Sequence, residues 1–547
     1  MKRKFLKSMA LIMTATLLLS SLAGCSQKED SADTGTKPPV EETKGKEEDK
    51  GSTEDKSNET ASAGIKEGST FKFWTNYDMP MHVPWLDSRG GALWTQVYDN
   101  LLIRYKGDID DIRPNIAESY TVSDDETVYN FKIKEDVYFT NGNQLTSADF
   151  IATWDILAEH QPRALLSVEK YEAKGDFEIE VTLSAPSATF LYELPTQSVY
   201  GVVDHTLIEE FGAEDNRAAV GCGPYYIDSY VSGEKFVLKA NENYHNPDRQ
   251  PTIETCEIVI IPDANTAMLA LQNGEIDCMN TVDIEVYNTL MDLGWDIEIV
   301  PDRVNPYWMN ARENKVFEDK VLREALCHMI DWQAVSDLAY DGLYPTVDSY
   351  WADGPGSFPY SDKYDYDPEL GVKMLEDAGY NLADIKFTIL ADPDFTNMQV
   401  VMVSQLHELG LTGVETVTYD GATCYGMLKS GTFEVFPVHN GYGFEAPLTP
   451  YTMGLIEGAT QPAMFLKEVN PEKFDEAMVL YDKAISAGNW DEYLSYVSGI
   501  TEIIQEECLA LGGLRVMRFY AVSEEFAGVT ITPIAGFLDF AHLELKN

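Results

Sequence analysis

Past residue 22 the chain has no apolar run approaching the roughly 20 residues that a membrane-spanning helix needs. Cations are scarce. There are 40 Lys and Arg against 91 Asp and Glu, a formal net charge of −51, which argues against nucleic acid as a partner, since that surface would repel a phosphate backbone. An acidic surface of this kind keeps a protein soluble; a bias toward cationic ligands is the alternative. No HExxH, Walker A loop, GxSxG elbow or helix-opening GxGxxG occurs, so the common hydrolytic and nucleotide chemistries have no foothold. The eight His form no metal-binding pattern, and one such as His328, on an amphipathic helix, reads as a packed or surface residue. No period of 20–50 residues repeats, which sets aside solenoids and propellers. Apart from Cys25, the cysteines at 222, 256, 278, 327, 424 and 508 show no CxxC or zinc spacing. Most interrupt apolar patterns and read as buried free thiols, although secretion would permit a disulfide.

What is present begins at the N-terminus. Lys2, Arg3, Lys4 and Lys7 precede an apolar run, Met9 to Leu22, too short to span a bilayer. This is the pattern of a secretion signal. It ends in Leu22-Ala23-Gly24-Cys25, which resembles the bacterial lipobox, with Cys25 as the expected lipid attachment point. Two acyl chains anchor stably where one does not. Residues 26–64 are Lys, Glu, Asp, Ser, Thr and Gly with almost nothing to bury, and read as a disordered tether reaching some 35 Å. Signal and tether charges cancel, so the body carries the whole net charge.

Within the body, Tyr129, Phe131 and Ile133 alternate with polar residues as a half-buried strand does, and Phe177 to Leu183 alternates again. Thr146 with Asp149 opens a helix whose Phe150, Ile151, Trp154 and Leu157 share one face, placing Trp154 in the core. Ile258 to Ile261 is a continuous apolar run of the kind found in a fully buried strand. From about 367 to 440 a βαβαβ rhythm is legible: a helix capped by Asp367 with Pro368 first and Gly379 beyond its end, strand Phe387–Leu390, a helix near 397–409, strand 414–417, a helix near 421–429 and strand Phe433–Phe436. This predicts an α/β lobe with a mostly parallel sheet, whose ligands sit beyond the carboxyl ends of the strands. The loop His439 to Pro447 is so placed.

These segments carry a resemblance that runs over nearly the whole body. Val97 to Leu102, Pro114 to Tyr120, Ser123-Asp124-Asp125, Asn141 to Asp149, Gly221-Cys222-Gly223-Pro224-Tyr225, Asn241 to Tyr244, Leu271 to Asp277, Phe317 to Leu326 and Tyr366 to Glu369 stand in one order. In that order and spacing they resemble the extracytoplasmic solute-binding proteins, family 5, the oligopeptide, dipeptide and nickel binding lipoproteins of ABC importers. The resemblance implies an α/β, two-lobed fold of the periplasmic-binding-protein kind, type II, with mixed sheets and an extra inserted domain. Lobe I would be 65–105, 220–310 and 520–547; the inserted domain 106–219; lobe II 311–519, with 1–25 the signal and 26–64 the tether.

It further implies no catalysis and no cofactor. A monomeric, membrane-anchored, extracytoplasmic protein would capture a small molecule, most simply a peptide, and deliver it to the permease subunits of an importer. A ligand sensor on the same fold, or a binder of sugars or nickel chelates, are the alternatives, and an extracellular hydrolase the remotest. Peptide-binding relatives carry a Trp-x-Ala-Asp-like loop whose Asp meets the ligand ammonium. Here Gly441 to Glu445 aligns with it, Tyr442 in place of the Trp and Glu445 of the Asp. Glu445 is thus the expected acceptor of a cationic group, with Tyr442, Trp74, Tyr77 and Trp351 as aromatic lining on loops and strand ends.

Overall fold

The computed structural model describes residues 64–546 apart from 87–90, 105–110, 196–199, 314, 348–363, 392–395, 439–447, 449–450, 459–461 and 532–537. Cys25, Trp351, Tyr442 and Glu445 therefore lie outside the described residues. The strands that matter are β1 (Lys66–Thr75), β2 (Ala117–Val122), β3 (Val128–Ile133), β4 (Val168–Gly175), β5 (Glu178–Leu183), β6 (Tyr225–Val231), β7 (Lys235–Ala240), β8 (Ile253–Ile260), β9 (Cys278–Thr281), β10 (Ile297–Met309), β11 (Lys386–Ala391), β12 (Gly413–Thr418), β13 (Val435–Pro437) and β14 (Ala510–Val522). The helices are α1 (Gly91–Val97), α2 (Ser147–His160), α3 (Ala264–Gln272), α4 (Lys320–Met329), α5 (Pro368–Asp377), α6 (Thr396–Glu408), α7 (Gly421–Ser430), α8 (Pro471–Ile485) and α9 (Trp490–Glu506).

Ten strands form one mixed sheet in the order β12-β11-β13-β10-β14-β9-β1-β8-β7-β6, and β2-β3-β5-β4 form a separate antiparallel sheet. At one end β11 lies parallel to β12 and β13, with α6 and α7 between them in sequence, as the βαβαβ rhythm requires. Strand β13 starts at Val435, two residues later than the apolar run Phe433–Phe436 suggests. The side chain of Asn310 explains the delay: its amide donates to the carbonyls of Gly431 (3.1 Å) and Phe433 (2.7 Å), taking the place of ladder partners.

Local signals act as read. Asp149 accepts the backbone N–H of Thr146 at 2.7 Å to open α2, and Asp367 accepts that of Leu370 at 2.9 Å to open α5. Trp154 is 1% exposed, in the core. His328 is buried on α4, its Nδ1 2.8 Å from the carbonyl of Asp365. Gly223 serves close approach: a Cβ there would stand 2.5 Å from the carbonyl oxygen of Gln96, against the backbone of α1.

The apolar cores follow the sheet. One joins β1, β7 and β8 to the small sheet and takes in Phe540 and Leu543 near the C-terminus. Two others gather around the opposite end, one from α4, α6 and β11, the other from α8, α9 and Phe433. A buried charge network pins the first core: Arg249 donates to Asp539 (2.7 Å) and Asp99 (3.1 Å), and His245 Nε2 lies 2.9 Å from Asp99.

Candidate functional site at the crossing strands

Strands β10 and β14, 13 residues each, run antiparallel along one another from Ile297 beside Ala521 to Trp308 beside Ala510. The Phe519–Val522 end of β14 also pairs with β9, whereas Tyr307–Met309 of β10 pair with β13. The main chain therefore passes twice between the two ends of the sheet, and these two passages are side by side. Their register slips between Pro301 and Arg303 and between Pro306 and Tyr307. Proline cannot donate to a ladder, which localises the slips. Opposite the second, a Cβ on Gly513 would stand 2.2 Å from the carbonyl oxygen of Asn305, so only glycine lets the strands come this close.

The first slip turns Asp302 toward β14. Arg518 grips its carboxylate with Nε (3.2 Å) and Nη2 (2.9 Å), and donates Nη1 to Asn280 Oδ1 on β9 at 2.8 Å. Arg303 Nη1 stands 3.1 Å from the same carboxylate. Burial is the largest influence on Arg518 and lowers its pKa, but the Asp302 charge and hydrogen bond together with Tyr520 and Tyr77 hold the guanidinium above its ordinary range. Tyr344, stacked on Tyr340 with ring centroids 4.3 Å apart, donates its hydroxyl to the carbonyl of Val282 just past β9. Burial pushes that phenol up, and the charges of Arg303, Asp302 and Arg518 all reach it. Tyr520, 1% exposed, carries a buried hydroxyl with no hydrogen-bond partner among the described residues. A buried hydroxyl without a partner costs stability. The site is a buried cluster of donors around one shared carboxylate at the junction of the crossing strands.

Tyr77 belongs to this cluster: its phenol is within electrostatic reach of Arg518 and Tyr520. Trp74 does not. It is 5% exposed, packed with Leu271, Met279 and Val286, and its Nε1 donates to the carbonyl of Ile261 at 2.8 Å. Sequence reasoning passed over Asp302, Arg518, Asn280 and Tyr344. The available signal was two arginines, Arg515 and Arg518, inside an otherwise apolar strand-like run.

Two groups of potential metal ligands lie close together among the described residues, Asp99 with Cys222 and His245, and Asp149 with Asp204 and His205. In the first, Asp99 is committed to Arg249 and His245. In the second, Asp204 accepts from Thr206 and Asn141 while Asp149 serves α2 and His205. In both sets the carboxylates are already committed to protein partners, although His245 Nδ1 has no hydrogen-bond partner among the described residues.

A single mixed sheet threaded twice by neighbouring strands, with helices around both ends, defines the type II architecture of periplasmic binding proteins. Residues 111–461 match the family model described as bacterial extracellular solute-binding proteins, family 5, and the chain belongs to that family. It is 28% identical to the oligopeptide-binding protein AppA of Bacillus subtilis over 292 residues, 49% of this chain and 52% of AppA. It is likewise 28% identical to the glutathione-binding protein GsiB of Escherichia coli over 312 residues, 55% of this chain and 59% of GsiB. The chain thus spans somewhat over half the length of these curated relatives. The fold matches NikA from Brucella suis in complex with Fe(III)-EDTA (TM-score 0.76, 20% identity, 87% of this chain and 100% of that one). It also matches AppA from Bacillus subtilis in complex with a nonapeptide (TM-score 0.71, 18% identity, 87% and 99%). No helix among the described residues is long and apolar enough to cross a membrane.

Proposed function

We propose that this protein captures peptides outside the cell and hands them to the permease subunits of an ABC importer, tethered by a lipid on Cys25. The observation that carries the reading is the pair of crossing strands: among the described residues β10 and β14 link the two ends of the sheet, so rotation about them would open and close a cleft over the Asp302–Arg518 cluster. Membership of the extracellular solute-binding family and the peptide and glutathione named for AppA and GsiB support it. We assign the lobes as 65–105, 220–310 and 520–547 against 311–519, with 106–219 inserted, in keeping with the separate cores on either side of the crossing. Tyr77 lines the cleft at the crossing, and Glu445, Tyr442 and Trp351 complete it from the loops. The protein acts as a monomer, without catalysis or cofactor.

The test is mass spectrometry of whatever co-purifies with the protein, followed by calorimetry with it. A peptide bound stoichiometrically supports the reading. A metal chelate or a sugar in its place overturns the peptide assignment.

A further inference from the structure

We propose that Cys327 and Cys508 are a redox pair that is joined into a disulfide outside the cell, by exchange with a disulfide-carrying oxidant. The inference rests on the extracellular assignment of the family, and on geometry. Cys327 sits on α4; Cys508 follows α9 directly, at the entry to β14. The two residues, far apart in sequence, bring their thiols within hydrogen-bonding reach of one another. Cys508 Sγ is also 3.1 Å from Tyr364 Oη, and Cys327 Sγ is 3.9 Å from the carbonyl of Ala510.

The backbone supplies a second observation. Cys508 has φ +48°, in the left-handed region, just beyond a helix end where glycine or asparagine is the usual residue. Among the described residues only Glu126 and Asp341 share a positive φ without being glycine, and of these aspartate accepts that region more readily than most. A side chain held in this backbone against its preference is kept for what its thiol reaches.

The chemistry closes. Cys327 is partly exposed, Cys508 buried, so the oxidant R–S–S–R meets Cys327 first. Its sulfur bonds one oxidant sulfur and one R–SH leaves. Once Cys327 is in the mixed disulfide it no longer donates to Cys508, but the Tyr364 hydroxyl, 3.1 Å from Cys508 Sγ, remains as the group that favours the thiolate, so Cys508 supplies the thiolate for the second step. It attacks the Cys327 sulfur, the Cys327–Cys508 bond forms, and the second R–S⁻ leaves and takes up a proton. Two protein thiols are oxidised by two electrons, and one external disulfide is reduced to two thiols. The product ties α4 to the root of a crossing strand.

Trypsin cuts the chain so that Glu324–Lys363 holds Cys327 alone and Ala484–Arg515 holds Cys508 alone. In a digest of the unreduced, secreted full-length protein, alkylated under denaturing conditions, these two peptides should run as one linked species. Dithiothreitol should separate them, and Cys327→Ser and Cys508→Gly should each abolish the link. Reduction should lower the melting temperature of the wild type by about 5 °C and leave both variants unmoved. Separate, fully alkylated peptides from unreduced protein overturn the pairing. A wild-type melting temperature insensitive to reductant overturns the stapling.

Discussion

Asp302 and Arg518 hold each other in a setting where neither charge is well hydrated, with side chains 5% and 20% exposed. Removing Asp302 strands Arg518, an effect of about 3–5 kcal/mol for buried pairs, and removing Arg518 leaves the carboxylate with Arg303 alone. Arg518→Met should therefore lower the melting temperature by several degrees, and the double variant with Asp302→Leu should recover part of the loss; calorimetric scans of the cycle decide it. A loss in the double variant equal to the sum of the losses in Arg518→Met and Asp302→Leu alone would show that the pair is not coupled. His82 makes a prediction about pH. It is 7% exposed, its Nε2 has no hydrogen-bond partner among the described residues, and burial holds its pKa below the ordinary value although Asp78 pulls the other way. The unfolded chain takes up this proton first, so the associated stability is complete above about pH 6.5 and declines as the pH falls through that value toward the depressed one. Melting temperatures between about pH 7.5 and 5.5 should fall less steeply in His82→Gln than in the wild type. Parallel slopes would remove His82 from the account. Glu445→Gln should weaken ligand binding at least tenfold, about 1.4 kcal/mol, with the unliganded melting temperature nearly unchanged; calorimetry showing an unaltered Kd would leave the ammonium to another acceptor.

At the scale of elements, sequence signals worked where chemistry is local. Asp367 with Pro368 marks a helix start because its carboxylate needs only a backbone N–H three residues on. Alternation in Tyr129-Asn130-Phe131 marks a strand because the pleat has a period of two. Strands β10 and β14 stayed hidden because Pro301, Pro306, Gly512 and Gly513 are turn formers when read along the chain. In the fold they are the bulges and close approach that let two long strands lie together. The polar cluster was hidden for a related reason: strand pairing brings Arg518 to Asn280 and Asp302 across more than 200 residues, and Tyr344 joins them from outside the strands. Gly513→Ala tests the crossing directly. With a Cβ pressed against the Asn305 carbonyl, the strands must part, and the variant should lose stability while its ligand affinity falls. Affinity and melting temperature both unchanged would mean that the strands yield without consequence.

For the whole molecule, the proposed anchor and closure are separable. Cys25→Ser should move the protein from the detergent phase to the aqueous phase with its fold intact; unchanged partitioning refutes the anchor. Closure has a visible partner far from the crossing strands. Near the small sheet, Ala188 donates its N–H to the carbonyl of Ala487 at 3.1 Å, and the ring of Tyr192 stacks on Trp490 with centroids 4.7 Å apart. These contacts join the 106–219 segment to the start of α9, in what we propose is the facing lobe. Under the proposed closure, a short displacement at the crossing is magnified at these contacts, as at the tips of tweezers. Trp490 thereby becomes an intrinsic gauge of aperture: its emission should shift to the red as the tips part and to the blue as ligand brings them together.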